Sequence, residues 1–142
     1  MEKVPDPFPP ADDVLRHRPD LITIDYGLND RRIGLEKARD AWSSMIQAGV
    51  RAGGKMLLLT PTADMTQAPA YAGDDKTLLA AHADQIRRLA DENNVGLADS
   101  FAAFQRYVET GDLSDLLSWS NHPNRQGHEL VARELLRWFP AG

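Results

Sequence analysis

Three short apolar runs alternate with longer stretches whose apolar residues fall at helical spacing. Leu21-Ile22-Thr23-Ile24 is compact, rich in β-branched residues and closed by Tyr26-Gly27, the mark of a buried parallel strand. From about Leu35 to Arg51, the residues Leu35, Ala38, Trp42, Met45, Ile46 and Val50 recur every three or four positions. That spacing predicts a helix, and Gly53-Gly54 stops it. Lys55 to Thr60 predicts a second buried strand, followed by a loop over 61–74 with Pro61, Pro69 and Gly73. A helix is predicted from about Asp75 to Asn93, with Leu78, Leu79, His82, Ile86 and Leu89 on one face. Val95 to Asp99 predicts a third strand, and Phe101 to Glu109 a helix with Phe101, Phe104 and Val108 inward. A turn through Gly111 leads to Leu113–Leu117. The last helix is predicted from Pro123, a favoured first helical residue, to about Trp138, with Leu130, Val131, Leu135 and Trp138 inside.

This alternation implies parallel pairing with right-handed crossovers, hence an α/β fold: a three-layer parallel sheet with flanking helices. Pro5, Pro7, Pro9 and Pro10 exclude a helix at the start, so residues 1–11 read as a proline-rich arm or a cut end. Asp12 or Asp13 can cap a short helix to about Arg18. Residues 12–142 form one domain, as the length of 142 residues suggests.

A net charge of -5 argues against a nucleic-acid or anionic-membrane surface. With no Cys there is no disulfide, thiolate metal site or Cys nucleophile. No apolar run approaches the roughly 18 residues of a membrane span. Met1-Glu2-Lys3-Val4-Pro5 lacks the apolar core of a signal peptide. As given, the chain reads as soluble and cytoplasmic, and a signal peptide in an upstream segment would change that.

In an open parallel sheet, ligands sit beyond the carboxyl ends of the strands. Tyr26-Gly27-Leu28-Asn29-Asp30 follows the first strand and so faces that edge. Gly27 can adopt positive φ and turn the chain sharply. The Asn29 amide can donate to a developing oxyanion. Asp30 can cap the next turn or hold the loop. The competing reading is a plain Gly-Asn-Asp turn. His122, directly before Pro123, takes a helix N-cap position on a loop, where an imidazole can serve as general base. The competing reading is a capping or surface histidine. His128 reads as a structural hydrogen-bonding residue, and His17 and His82 as incidental. The His122–His128 spacing and the lack of a third ligand argue against zinc, so no metal or cofactor is implied. A flavodoxin-like phosphate binder is a weaker alternative, because no Gly-rich loop follows the first strand. Arg31 and Arg32 could hold an anion but read as solvated surface residues.

Tyr26-Gly27-Leu28-Asn29-Asp30 and Asn121-His122-Pro123-Asn124 with Gly127-His128 resemble two signature blocks of the SGNH (GDSL-type) serine hydrolases. Leu58-Leu59-Thr60-Pro61-Thr62 and Val95 to Ser100 resemble the strands between them, in the family's order, from about residue 12 onward. The resemblance implies a flavodoxin-like sheet lacking its first strands. It implies Asn29 in the oxyanion hole and His122 as base, with Gly27, Asp30, Asn121 and Asp115 as supporting candidates. Two departures stand out. The family's Asp three residues before the His is Trp119 here; Asp115, Asp112, Asn121 or a backbone carbonyl are the candidate substitutes. The family's Gly-Asp-Ser nucleophile segment is absent, and none of Ser43, Ser44, Ser100, Ser114, Ser118 and Ser120 fills its place in the family's order.

The resemblance implies an ester hydrolase, an esterase or acetylesterase acting on a small ester or acetylated carbohydrate. The alternative is a catalytically inactive fragment that acts as an assembly or binding module. The family's sheet order, 2-1-3-4-5, would leave the strand at Leu21–Asp25 without its neighbour and open to pairing with another copy.

Overall fold

The computed structural model describes residues 11–141. The proline-rich arm lies outside them, except Ala11, which opens the first helix. Three parallel strands form the sheet in the order β1 (Leu21–Ile24), β2 (Lys55–Leu59), β3 (Gly96–Ala98). The helices are α1 (Ala11–Leu15), α2 (Gly27–Asp30), α3 (Leu35–Arg51), α4 (Leu78–Glu92), α5 (Ser100–Val108) and α6 (Arg125–Leu136). The three-layer α/β architecture is the expected one.

Side chains alternate across the strands and so build two faces. Ile24, Met56 and Leu58 pack against Trp42 and Ile46 of α3 and Ile86, Leu89 and Ala90 of α4. Leu57, Leu59 and Ala98 point the other way, towards Val131 and Leu135 of α6. A third cluster gathers Leu79, Ala83, Phe101, Phe104, Leu113 and Leu116 around α5. Leu35, Val50 and Val108 were expected inside but are exposed, because they sit at helix ends that overhang this narrow sheet.

The two sheet edges differ. β1 is not buried on both faces as its sequence suggested. Ile22 and Ile24 meet the α3–α4 layer, whereas Leu21 and Thr23 are exposed. Among the described residues β1 pairs only with β2. On β3, the Ala98 carbonyl accepts from Thr60 N at 3.2 Å, so the alternate carbonyl of Leu97 faces outward. Trp138 Nε1 donates to that carbonyl at 2.8 Å. Trp138 therefore lies past the end of α6 and blocks an edge, rather than lining the helix's inner face as expected.

Candidate active site

The turn after β1 is α2. Gly27 is not at positive φ, contrary to expectation. A Cβ there would lie 2.8 Å from Pro61 Cδ and 3.1 Å from Ile86 Cδ1, so glycine is required for the close approach of this turn to the loop after β2. Asp30, 4% exposed, accepts from Trp42 Nε1 at 2.7 Å and fixes the end of the turn. Asn29 lies between these two anchors. It is exposed, and its amide makes no hydrogen bond to other described residues.

The loop after β2 is organised by Asp64, 2% exposed. Its Oδ1 accepts from Thr66 N at 2.9 Å and Thr66 Oγ1 at 2.6 Å. Its Oδ2 takes Arg31 Nη1 at 2.6 Å. Arg31 is thus a largely buried structural cation, its side chain 11% exposed, not a solvated surface residue, and of the two arginines Arg32 alone is exposed. Removing either member of such a pair would leave an uncompensated buried charge.

His82, read from sequence as incidental, is buried on α4 beneath this turn, beside the Asp30 carboxylate and the Arg31 backbone. Burial pushes its imidazole below the ordinary value of 6.5, against the opposing pull of the Asp30 carboxylate and the Arg31 backbone contact. The folded state therefore favours neutral His82, while the unfolded chain takes up a proton as pH falls through that ordinary value. The resulting stability is present above that value and declines below it. Urea midpoints at about pH 7.5 and about pH 5.5 are expected to differ less in His82→Gln than in the parent chain.

His122 sits on a closed loop. Leu117 and Pro123 form an antiparallel bridge, Ser118 N donates to His122 O at 2.9 Å, and Asn124 N donates to Leu116 O at 2.9 Å. Ser118 Oγ donates to His122 O and Pro123 O, both at 3.3 Å. His122 Nδ1 lies 2.6 Å from Asn121 Oδ1. With that oxygen facing the ring, Nδ1 carries the proton and Nε2 is left as the basic nitrogen.

The helix does not begin at Pro123. Asn124 is its N-cap and accepts from Gly127 N at 3.0 Å, so His122 lies two residues before the cap. The Asn124 side chain wins because it satisfies a helix-start N–H, which Pro123 cannot do. Gly127 is buried where a Cβ would strike the Leu116 carbonyl and come within 2.9 Å of Pro123 Cβ. Gly127→Ala is expected to cost about 1–3 kcal/mol by overpacking, read as a lower urea midpoint. His128 is exposed, and its side chain makes no hydrogen bond among the described residues, so the structural role expected of it does not hold.

Asp115, a candidate partner for His122, is committed elsewhere. Its Oδ2 accepts from Tyr107 Oη at 3.0 Å and Asp112 N at 3.3 Å, within the turn Leu113–Leu116. Asp112 caps the same turn. Asn121 is therefore the candidate in contact with the imidazole. Trp119, at the position where the family carries its Asp, is 75% exposed.

Met65 N donates to Ser120 O at 2.8 Å, joining the loop after β2 to the histidine loop. With Arg31–Asp64, this makes a continuous rim along the carboxyl edge: Asn29, Arg31, Asp64, Met65, Ser120, His122. Asn29 and His122 share the rim without hydrogen-bonding each other. Beside it lies a cavity of about 300 Å³ lined by Ala63, Met65, Pro69, Phe104, Val108 and Leu113, among others. Met65 and Pro69, both from the loop after β2, line it. Tyr71 does not; its hydroxyl donates to Asp75 at 2.5 Å. Neither Asn29 nor His122 lines the cavity. No serine hydroxyl hydrogen-bonds the His122 ring among the described residues. No group of three or more acidic or histidine side chains there is placed to hold a metal. Among the described residues no helix is long and apolar enough to cross a membrane.

The family model of the GDSL-like lipase/acylhydrolases matches residues 4–130. The chain belongs to that family. Among solved structures, a catalytic histidine-to-alanine mutant of an acetylxylan esterase from Geobacillus stearothermophilus superimposes with a TM-score of 0.77 at 17% identity. The match covers 92% of this GDSL-like chain and 64% of that one. The unsubstituted esterase gives 0.74 at 20% identity, with 89% and 62% covered. An α/β hydrolase enzyme from the metagenome of Lake Arreo, Spain, gives 0.67 at 24% identity, with 89% and 62% covered. These likenesses establish the fold, and this chain spans under two thirds of each neighbour's length. Among curated proteins none matches. Catalytic mutants of the Geobacillus esterase replace a serine, an aspartate and a histidine, the aspartate three positions before the histidine.

Proposed function

We propose that this GDSL-like domain carries the base and oxyanion side of an esterase site, with His122 as general base and Asn29 as oxyanion donor. The observation that carries the reading is the Asn121–His122 contact, on a loop pinned to the rest of the rim. The nucleophile of the scheme is the serine of a Gly-Asp-Ser segment, which these 142 residues do not contain. That hydroxyl attacks the ester carbonyl and gives its proton to His122 Nε2. The Asn29 amide donates to the tetrahedral oxyanion. Collapse of the intermediate expels the alcohol, which takes the proton back from Nε2, and water then releases the acid by the same route. Asn121 orients the imidazole as an aspartate does in the triad. As a neutral amide it stabilises imidazolium less. The substrate class is a small or acetylated-carbohydrate ester, the class on which the Geobacillus enzyme's name places it. The test is p-nitrophenyl acetate hydrolysis by this chain joined to the family's Gly-Asp-Ser segment. Hydrolysis that depends on His122 supports the scheme; an inactive joined protein, or one indifferent to His122→Ala, refutes it.

A second reading rests on the open edge of β1. Among the described residues Leu21–Ile24 pairs only with β2 and leaves Leu21 exposed, whereas on the opposite edge Trp138 Nε1 takes the Leu97 carbonyl. In this reading the chain is an inactive assembly module that associates with itself through β1. Light scattering is expected to show concentration-dependent dimers that a Thr23→Pro variant cannot form. A clean monomer at high concentration refutes it.

A further inference from the structure

The turn that carries Asn29 rests on one face of α4. A Cβ on Gly27 would come within 3.1 Å of Ile86 Cδ1. Leu28 packs against the cluster that holds Leu79 and Ala83. Asp30 and Arg31 lie beside His82, which stands one helical turn before Ile86 on the same face. Gly27 and Asp30 are buried and Leu28 is partly buried, so Asn29 alone of the four α2 residues is exposed. Its amide has no hydrogen bond of its own to other described residues. Where that amide stands is therefore set by the floor beneath its neighbours. The buried residues of α4 that form this floor are apolar except His82. A polar ring is costly to bury unless its surroundings use it, and the groups around this one belong to the two residues that follow Asn29.

We propose that His82 is a positioning residue for the oxyanion donor: through Asp30 and Arg31 it holds the Asn29 amide where it can donate to the tetrahedral intermediate. The two residues it supports are each tied on their far side, Asp30 to Trp42 Nε1 at 2.7 Å and Arg31 to Asp64 Oδ2 at 2.6 Å. The imidazole thus stands between an anchor on α3 and an anchor on the loop after β2. The charged groups that face it are the Asp30 carboxylate and the Arg31 guanidinium. Asp64 stands behind Arg31, and α3 brings only the uncharged Trp42 indole, through Asp30. Burial keeps the ring neutral at neutral pH. A proton added in acid makes it a cation that draws Asp30 in and pushes Arg31 away, so the turn bearing Asn29 shifts. This role rests on the esterase reading of Asn29, but the coupling of His82 to Asn29 can be measured without catalysis.

The experiment follows the side-chain amide resonances of Asn29 in the 142-residue chain, identified by their loss in Asn29→Asp, from about pH 7.5 to about pH 4.5. The His82 ring resonance, identified by its loss in His82→Gln, is expected to titrate below 6.5, and the Asn29 resonances to move with the same midpoint. That movement is expected to vanish in His82→Gln and to remain in His122→Ala. In the joined protein, His82→Leu is expected to lower kcat on p-nitrophenyl acetate about tenfold with KM unchanged, as for a donor displaced from the transition state. His82→Gln keeps a polar group at that place and is expected to recover most of the loss. Asn29 resonances that ignore the titration of His82 overturn the proposal, as does movement that persists in His82→Gln or disappears in His122→Ala. An unchanged kcat in a folded His82→Leu protein overturns it too. Where His82→Leu does not fold, the titration of the parent chain decides alone. The two readings fail separately. Coupling of Asn29 to His82 in a joined protein that cannot hydrolyse the ester refutes the esterase scheme alone. Hydrolysis that depends on His122, with Asn29 resonances indifferent to His82, refutes the positioning role alone.

Discussion

Replacing His122 by alanine is expected to lower kcat about a millionfold in the chain joined to the family's Gly-Asp-Ser segment, with KM little changed. The size follows from the two proton transfers assigned to Nε2, from the serine and to the departing alcohol, since the rim's carboxylate, Asp64, is committed to Arg31 and Thr66. Asn121 acts on the same nitrogen pair from the other side, through the 2.6 Å contact at Nδ1. Its removal should therefore give a smaller loss that is not additive with the first, because both act through one imidazole. Steady-state kinetics on p-nitrophenyl acetate for the two single variants and the double variant make the comparison. A double variant that multiplies the two single losses would show that Asn121 works independently of His122.

Trp42→Ala is expected to have the largest effect on stability. Trp42 is 1% exposed in the α3–α4 layer, and its truncation should cost about 3–5 kcal/mol from lost burial and the resulting cavity. It also leaves the buried Asp30 Oδ2 without its indole donor, a further penalty of about 1–3 kcal/mol. Against a total stability of about 5–15 kcal/mol, this brings the chain close to its unfolding threshold. Trp42→Phe separates the two effects. It keeps most of the ring volume and loses the hydrogen bond, so its midpoint in urea should fall by about 1 M, given a slope of roughly 1–3 kcal/mol/M. A Trp42→Phe variant as stable as the parent would show that the Asp30 contact contributes nothing.

The parts of this fold legible in the sequence are those set by local pattern. β2 reads from an unbroken apolar run, and α3 and α4 from the recurrence of Ala38, Trp42 and Ile46 or Leu79, Ile86 and Leu89. What escaped depends on residues far apart in the chain. Arg31 looks solvated until Asp64, thirty-three positions on, is folded against it. His82 carries no local sign that it will be buried under Arg31; its place on the apolar face of α4 was the available clue. Gly27 was correctly singled out for the wrong physical reason. A one-dimensional pattern shows that a side chain is missing but not which atom, here Pro61 Cδ, needs the space. The start of α6 shifted because Pro123 and Asn124 both signal a helix start, and only the cap's hydrogen bond to Gly127 N separates them.

The Met65–Ser120 hydrogen bond makes the segment 61–68 a keystone, held by Arg31 on one side and itself holding the histidine loop on the other. For protein engineering, this divides one loop into two zones. Residues 69–74 can change length while the arch stands, which opens the neighbouring cavity to redesign. A single inserted residue between Asp64 and Thr66 would break the span, letting the two halves of the rim drift apart though neither Asn29 nor His122 had been touched.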